Sequence, residues 1–140
     1  MGQTEFETQL RRVPLFGAMT DGAITAIAEL VGEAGFAPGA HLTEEGAPGD
    51  AFYVLSSGAA LVSRGGATVR SLGPGDFVGE ISLIDGKPRT ATVTATVPVR
   101  ALVLRREAFL SLLDRYPSVR LGVLMALTER IRADAKRATD

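Results

Sequence analysis

Residues 32–86 hold twelve of the chain's sixteen glycines, and between them lie short runs of alternating apolar and polar residues, at 40–43, 51–55, 59–63 and 68–72. Alternation sends successive side chains to opposite faces, so each run can bury one face as a strand and leave the other in water. Each is too short for an ordinary helix, and Gly and Pro punctuate them at regular spacing. That is the pattern of an antiparallel barrel or jelly roll. Gly46, Gly49, Gly58, Gly65, Gly66, Gly73 and Gly75 fall at the turns, where left-handed backbone is expected. Two further runs, 91–96 and 99–104, flank a turn at Val97 and Pro98.

The spacing becomes helical on either side. Thr4 and Glu7 fit a capping box opening a helix over 4–12, which Pro14 ends. Leu15 and Phe16 read as core anchors. Thr20 or Asp21 starts a second helix, with Ile24, Ile27, Ala28, Leu30 and Val31 on one face, and Gly32 and Gly35 close it. Beyond Arg106, Phe109, Leu112 and Leu113 share a face of a helix over 107–116, which Pro117 breaks. Ser118 is expected to cap a last helix running to Arg137. Leu121, Leu124, Ile131 and Ala135 form its apolar stripe, widened by Val123 and Leu127, and its end from Glu129 to Lys136 is charged.

Chemistry concentrates in residues 77–93, FVGEISLIDGKPRTATV. A turn at Gly79 and Glu80 precedes a short apolar run, Ile81 to Ile84, and a second turn delivers Arg89 and Thr90 to the start of a strand. One turn of helix over that run leaves its N–H groups without internal partners, which suits an anion. Arg89 adds a rigid fork of donors that matches a phosphate. Glu80 cannot serve the same anion, but an ionised carboxylate is a strong acceptor for a sugar hydroxyl.

Other functions are disfavoured by composition. Fifteen Lys and Arg stand against sixteen Asp and Glu, a net charge of −1, so no basic surface for nucleic acid is expected. Without cysteine there is no disulfide framework, thiolate metal site or cysteine nucleophile. His41 is the only histidine and reads as a partly exposed strand residue, so neither a histidine metal cluster nor a nucleophile–base pair is in view. The expectation is a non-enzyme without a metal. No apolar run reaches the roughly 20 residues of a membrane span, and MGQTEFETQLRR lacks the apolar core of a leader. A cytoplasmic chain with no membrane partner is therefore expected.

The stretch 77–93 resembles the phosphate-binding cassette of cyclic nucleotide-binding domains. The pattern F-G-E-[IL]-[AS]-L-[IL]-x-x-x-P-R-[AST]-A-[TS]-V is met from Gly79 to Val93 without a gap, with Val78 as an extra residue after Phe77. The resemblance extends over F-x-P-G-x-x-L-x-x-E-G-x-x-G-D-x-F-Y-V-L-x-x-G at 36–58, and over the helical segment L-R-R-V-P-L-F-G-A-M-T-D before it. Glu45, Gly46, Gly49, Asp50, Tyr53 and Gly58 are expected to serve turns and packing rather than ligand. The resemblance implies an α+β, mainly β fold: an eight-stranded antiparallel jelly-roll β-barrel with N-terminal helices, a short cassette helix and two C-terminal helices. It implies one domain over 1–140, made of a helical segment 1–31, a barrel 32–105 with the cassette at 77–93, and helices over 106–140.

As implied by the resemblance, Arg89 and the N–H groups of Ser82 and Thr90 hold a cyclic phosphate. Glu80 accepts from the ribose 2′-OH, and Gly79 and Ile81 complete the cassette. Val62 and Leu72 are the candidates for lining the base, with Arg130 and Arg132 of the last helix at its edge. The ligand is a cyclic purine nucleotide, cyclic AMP ahead of cyclic GMP, with the Thr90 hydroxyl permitting the second. The last helix would close on the ligand or form a homodimer seam, reporting to an unknown output protein. Two alternatives stay open: an interaction domain of the same fold that has lost or changed its ligand, and a module cut from a transcription factor, channel or enzyme.

Overall fold

The computed structural model describes residues 2–139, and the side chains of all of these except Ile81 and residues 137–139. The chain divides into two compact units, one over residues 30–111 and a helical one formed by residues up to 29 with those from 112 onward.

The first unit is the barrel. Its strands are β1 (Gly32–Phe36), β2 (His41–Thr43), β3 (Ala51–Ser57), β4 (Ala60–Arg64), β5 (Ala67–Leu72), β6 (Phe77–Val78), β7 (Thr92–Ala95) and β8 (Val99–Arg105). They form two four-stranded sheets, ordered β1-β8-β3-β6 and β2-β7-β4-β5, and every pairing is antiparallel. This is the eight-stranded jelly roll that the resemblance implies. Inward positions of the alternating runs meet in one cluster containing Leu42, Leu55, Val62, Leu72, Val93 and Val99, joined by Val78 of β6. Phe52 adds an aromatic contact to Phe77, with ring centroids 5.7 Å apart, and another to Phe109 at 5.1 Å.

Six strands lie within two residues of the alternating runs. The other two are corrections. Gly32 and Gly35 do not close the second helix; they lie inside β1, whose backbone pairs with β8 from Gly32↔Val103 to Phe36↔Val99. β6 has only two residues, paired to Tyr53 and Val54. In both cases the neighbouring strand dictates the conformation, overriding local preference.

The barrel unit also carries α3 (Glu80–Asp85), and α4 (Arg106–Arg115) begins in it. The helical unit contains α1 (Gln3–Arg11), a 3-10 turn at Pro14–Phe16, α2 (Asp21–Leu30) and α5 (Pro117–Thr139). Leu15 and Phe16 are buried, as expected of core anchors. Thr20 is the cap of α2, its hydroxyl accepting the Ala23 N–H at 3.2 Å.

Two other expected caps do not form. α1 starts earlier than Thr4, after Gly2, without a side-chain cap, and Glu7 instead accepts from the Thr25 hydroxyl at 2.9 Å. The Ser118 hydroxyl accepts the Thr20 N–H at 3.2 Å and lies one residue inside α5, whose first residue is Pro117. Each side chain found a partner from another helix. Gly122 of α5 is where the 3-10 segment comes close: a Cβ there would lie 2.9 Å from Met19 Cε and 3.2 Å from the Leu15 carbonyl oxygen. The expected stripe on α5 is divided, because Val119 and Val123 are buried whereas Leu121, Leu124, Met125 and Ile131 are half or more exposed. No helix among the described residues is long and apolar enough to cross a membrane.

Candidate functional site

The site is built around α3. β6 ends at Val78, and the chain reverses through Gly79, which has φ +97° and precedes the first residue of the helix. Any other residue there meets two obstacles. The left-handed backbone disfavours a Cβ, and a Cβ would lie 2.6 Å from the Ala51 carbonyl oxygen and 2.7 Å from Arg89 Nη1. Seven residues later Gly86, with φ +70°, ends the helix, its N–H donating to the Ser82 carbonyl at 2.9 Å. Leu83 and Ser82 are buried under the helix, and Ile84 and Asp85 face outward. Asp85 accepts the Lys87 N–H at 2.8 Å, turning the chain toward Arg89.

Arg89 is fixed at both ends. Its N–H donates to the Ala47 carbonyl at 2.8 Å, and its own carbonyl accepts the Gly46 N–H at 2.9 Å, locking it to the loop between β2 and β3. Its side chain is 7% exposed. Nη1 donates to the Gly79 carbonyl at 3.1 Å and Nη2 to the Ala51 carbonyl at 2.7 Å. These bonds use two of the five guanidinium N–H donors. Burial lowers the pKa of Arg89, with Tyr53 and then the Asp50 and Glu80 carboxylates pulling it back up. The group stays a cation, since arginine does not lose its proton in proteins.

The cassette residues are thus brought together. Glu80 is 3% exposed at the first position of α3, close enough to act on the Arg89 charge. Ser82 is buried beside Arg89, and Thr90 follows it on the exposed side. The N–H groups of the first turn have no partners within the helix. A buried cation and a buried carboxylate at the start of a short helix can together hold an anion that carries a neighbouring hydroxyl. The Ile81 side chain lies outside the described residues. Val62 and Leu72 are buried in the barrel core, Val62 opposite Val93 in the β4–β7 ladder. Arg130 and Arg132 are on α5, in the helical unit, Arg132 being exposed. His41 is exposed on β2, its Nδ1 3.2 Å from a Glu44 carboxylate oxygen.

The sequence reading missed Gly49. Neither Gly49 nor Gly73 has the left-handed backbone expected of it. Gly49 is required for room: a Cβ would lie 2.7 Å from both Arg89 Nε and Ser82 Cβ. The Ala51 carbonyl, anchor of Nη2, carries no signal in sequence at all. The G-D pair at Gly49 and Asp50 does carry one, but its pattern points to turns and packing.

These features define a jelly-roll domain with a buried arginine and a buried glutamate at a short helix between β6 and β7. The profile of the cyclic nucleotide-binding domain family matches residues 33–116, and the chain belongs to that family. It is similar to a cAMP-dependent protein kinase regulatory subunit of Hypocrea atroviridis, 36% identical over 127 residues, covering 84% of this chain and 28% of the relative. It is also 30% identical over 136 residues to a CRP-like cAMP-activated global transcriptional regulator of Mycobacterium tuberculosis, covering 94% of this chain and 61% of that protein. Among solved structures, cAMP-bound PfPKA-R superposes with a TM-score of 0.83 at 25% identity, covering 98% of this chain and 47% of that one. The chain therefore spans under two thirds of each of these proteins.

Proposed function

We propose that the chain is a non-catalytic cytoplasmic sensor module that binds cyclic AMP, and cyclic GMP more weakly, and reports by repositioning α5. In this reading Arg89 and the N–H groups of Ser82 and Thr90 hold the cyclic phosphate, and Glu80 accepts from the ribose 2′-OH beside Gly79 and Ile81. Val62, Leu72 and the α5 arginines Arg130 and Arg132 are the candidates facing the base. The carrying observation is the buried Arg89 guanidinium at the start of α3 with Glu80 buried beside it. Burying a charge is costly unless something recovers it, and a fold that had lost its ligand would have no need of both groups. The names of the relatives, kinase regulatory subunit and cAMP-activated regulator, support the same reading. The exposed apolar side chains of α5 support a protein partner there, a second copy of this chain or an output protein.

Calorimetric titration tests the proposal. One cyclic AMP per chain is expected, bound more tightly than cyclic GMP and recovered unhydrolysed. Absence of binding to both nucleotides would refute it, and hydrolysis would refute the non-catalytic part.

A further inference from the structure

β2 is out of step with its neighbour. His41 pairs with Thr94 but Thr43 with Val93, so Leu42 is an extra residue, a bulge in β2. Regular alternation would send Leu42 and Thr43 to opposite faces. Here both are buried, at 5% and 7% exposure, with Leu42 in the barrel core. A buried hydroxyl needs a hydrogen-bond partner. Thr43 donates to the Ala91 carbonyl at 2.9 Å, where the end of the cassette runs into β7.

Three more bonds join the same two segments. The Gly46 N–H donates to the Arg89 carbonyl at 2.9 Å, and the Arg89 N–H to the Ala47 carbonyl at 2.8 Å. The Glu45 N–H donates to the Thr92 hydroxyl at 3.0 Å. Residues 89, 91 and 92 are each held in this way, and none of these bonds goes to Thr90, which is exposed. The peptide of Thr90 is therefore oriented by its two neighbours. Of the two bonds made through side-chain hydroxyls, that of Thr43 is the buried one, where losing a partner costs most.

We infer that Thr43 is a positioning residue: its hydroxyl, re-aimed by the bulge, holds Ala91 so that the Thr90 N–H faces the phosphate of the ligand. The inference rests on the reading of residues 79–90 as the ligand cradle and adds what orients the last member of that cradle. Valine has nearly the same outline as threonine and suits a strand equally well. Packing alone does not need the oxygen.

The test titrates the parent chain, Thr43→Val and Thr43→Ser with cyclic AMP and with each diastereomer of its phosphorothioate. Thr43→Val removes the hydroxyl at constant shape, and Thr43→Ser keeps it. Thr43→Val should bind cyclic AMP about three- to tenfold more weakly, and Thr43→Ser should stay within about twofold of the parent. Sulfur is a weak acceptor, so the diastereomer that presents it to the Thr90 N–H has already lost that contact. Thr43→Val should therefore cost this diastereomer little and the other as much as cyclic AMP. An equal loss with all three ligands, or no loss with cyclic AMP, overturns the positioning role.

Hydrogen exchange without ligand separates this inference from the sensor reading. Thr43→Val should speed exchange at residues 89–92 and leave the β1–β8 ladder as in the parent, and Thr43→Ser should restore the protection. If the parent binds no cyclic nucleotide but this effect appears, the sensor reading fails and the hold of Thr43 on residues 89–92 stands. Unchanged exchange there overturns that hold whether or not cyclic AMP binds. Should Thr43→Val not fold, Thr43→Cys, whose thiol is a weak donor, takes its place with the same outcomes.

Discussion

Gly49→Ala separates the space requirement of the cradle from its charge. Gly49 does not have a left-handed backbone, so alanine fits the local conformation and should even stiffen the unfolded chain. The obstacle is contact: the new Cβ stands 2.7 Å from Ser82 Cβ, 2.7 Å from Arg89 Nε and 2.8 Å from Arg89 Cζ. Carbon atoms prefer a separation of about 3.5–4.0 Å, so something must move by roughly 1 Å. Ser82 is held in α3, so the guanidinium is the part that yields. Its bond to the Ala51 carbonyl is 2.7 Å long, and a shift of that size lengthens it beyond useful range. Overpacking costs about 1–3 kcal/mol, so cyclic AMP binding should weaken by roughly 5- to 150-fold. Gly73→Ala is the control, since a Cβ there meets nothing within 4 Å and its backbone is also ordinary. Calorimetry on both variants is the assay. Gly49→Ala binding within threefold of the parent would show that the cradle does not depend on this contact.

Further outcomes follow from the same geometry. Glu80→Ala should weaken cyclic AMP, and most of the loss should vanish with 2′-deoxy cyclic AMP as ligand; purely additive effects would remove Glu80 from the sugar. Cyclic GMP should bind more weakly than cyclic AMP, and Thr90→Ala should reduce cyclic GMP further; a competition titration with cyclic GMP ahead would reverse the assigned preference. Ligand should change amide protection across residues 121–131 of α5, and unchanged exchange there would make α5 a static or dimer helix instead.

What could be read from the chain depended on how local the cause was. Alternation at 51–55 and 59–63 revealed β3 and β4 because side-chain period is written into a strand's own residues. β1, GEAGF, has no such period and stays largely exposed, so only its ladder to β8 makes it a strand. The failed caps share one cause: a local pattern pairs Glu7 and Ser118 with their own helices, whereas Glu7 accepts from Thr25 and Ser118 from Thr20, both far away in sequence. In the site, Gly79, Glu80 and Arg89 were legible because they sit on one short stretch with fixed spacing. Gly49 and Ala51 act on Arg89 from roughly forty positions earlier, and no local pattern links them. The glycines at 49 and 73 looked alike in sequence; what distinguishes them is the guanidinium beside the first.

The proposed function turns on the Arg89 guanidinium receiving a cyclic phosphate. Calorimetry of cyclic AMP binding to Arg89→Ala, with circular dichroism to verify the barrel, tests it most directly. Removing one partner of a buried charge pair costs about 2–5 kcal/mol, which predicts binding weaker by about 30-fold to several thousandfold. A folded Arg89→Ala chain that binds cyclic AMP within threefold of the parent would show that the phosphate lies elsewhere.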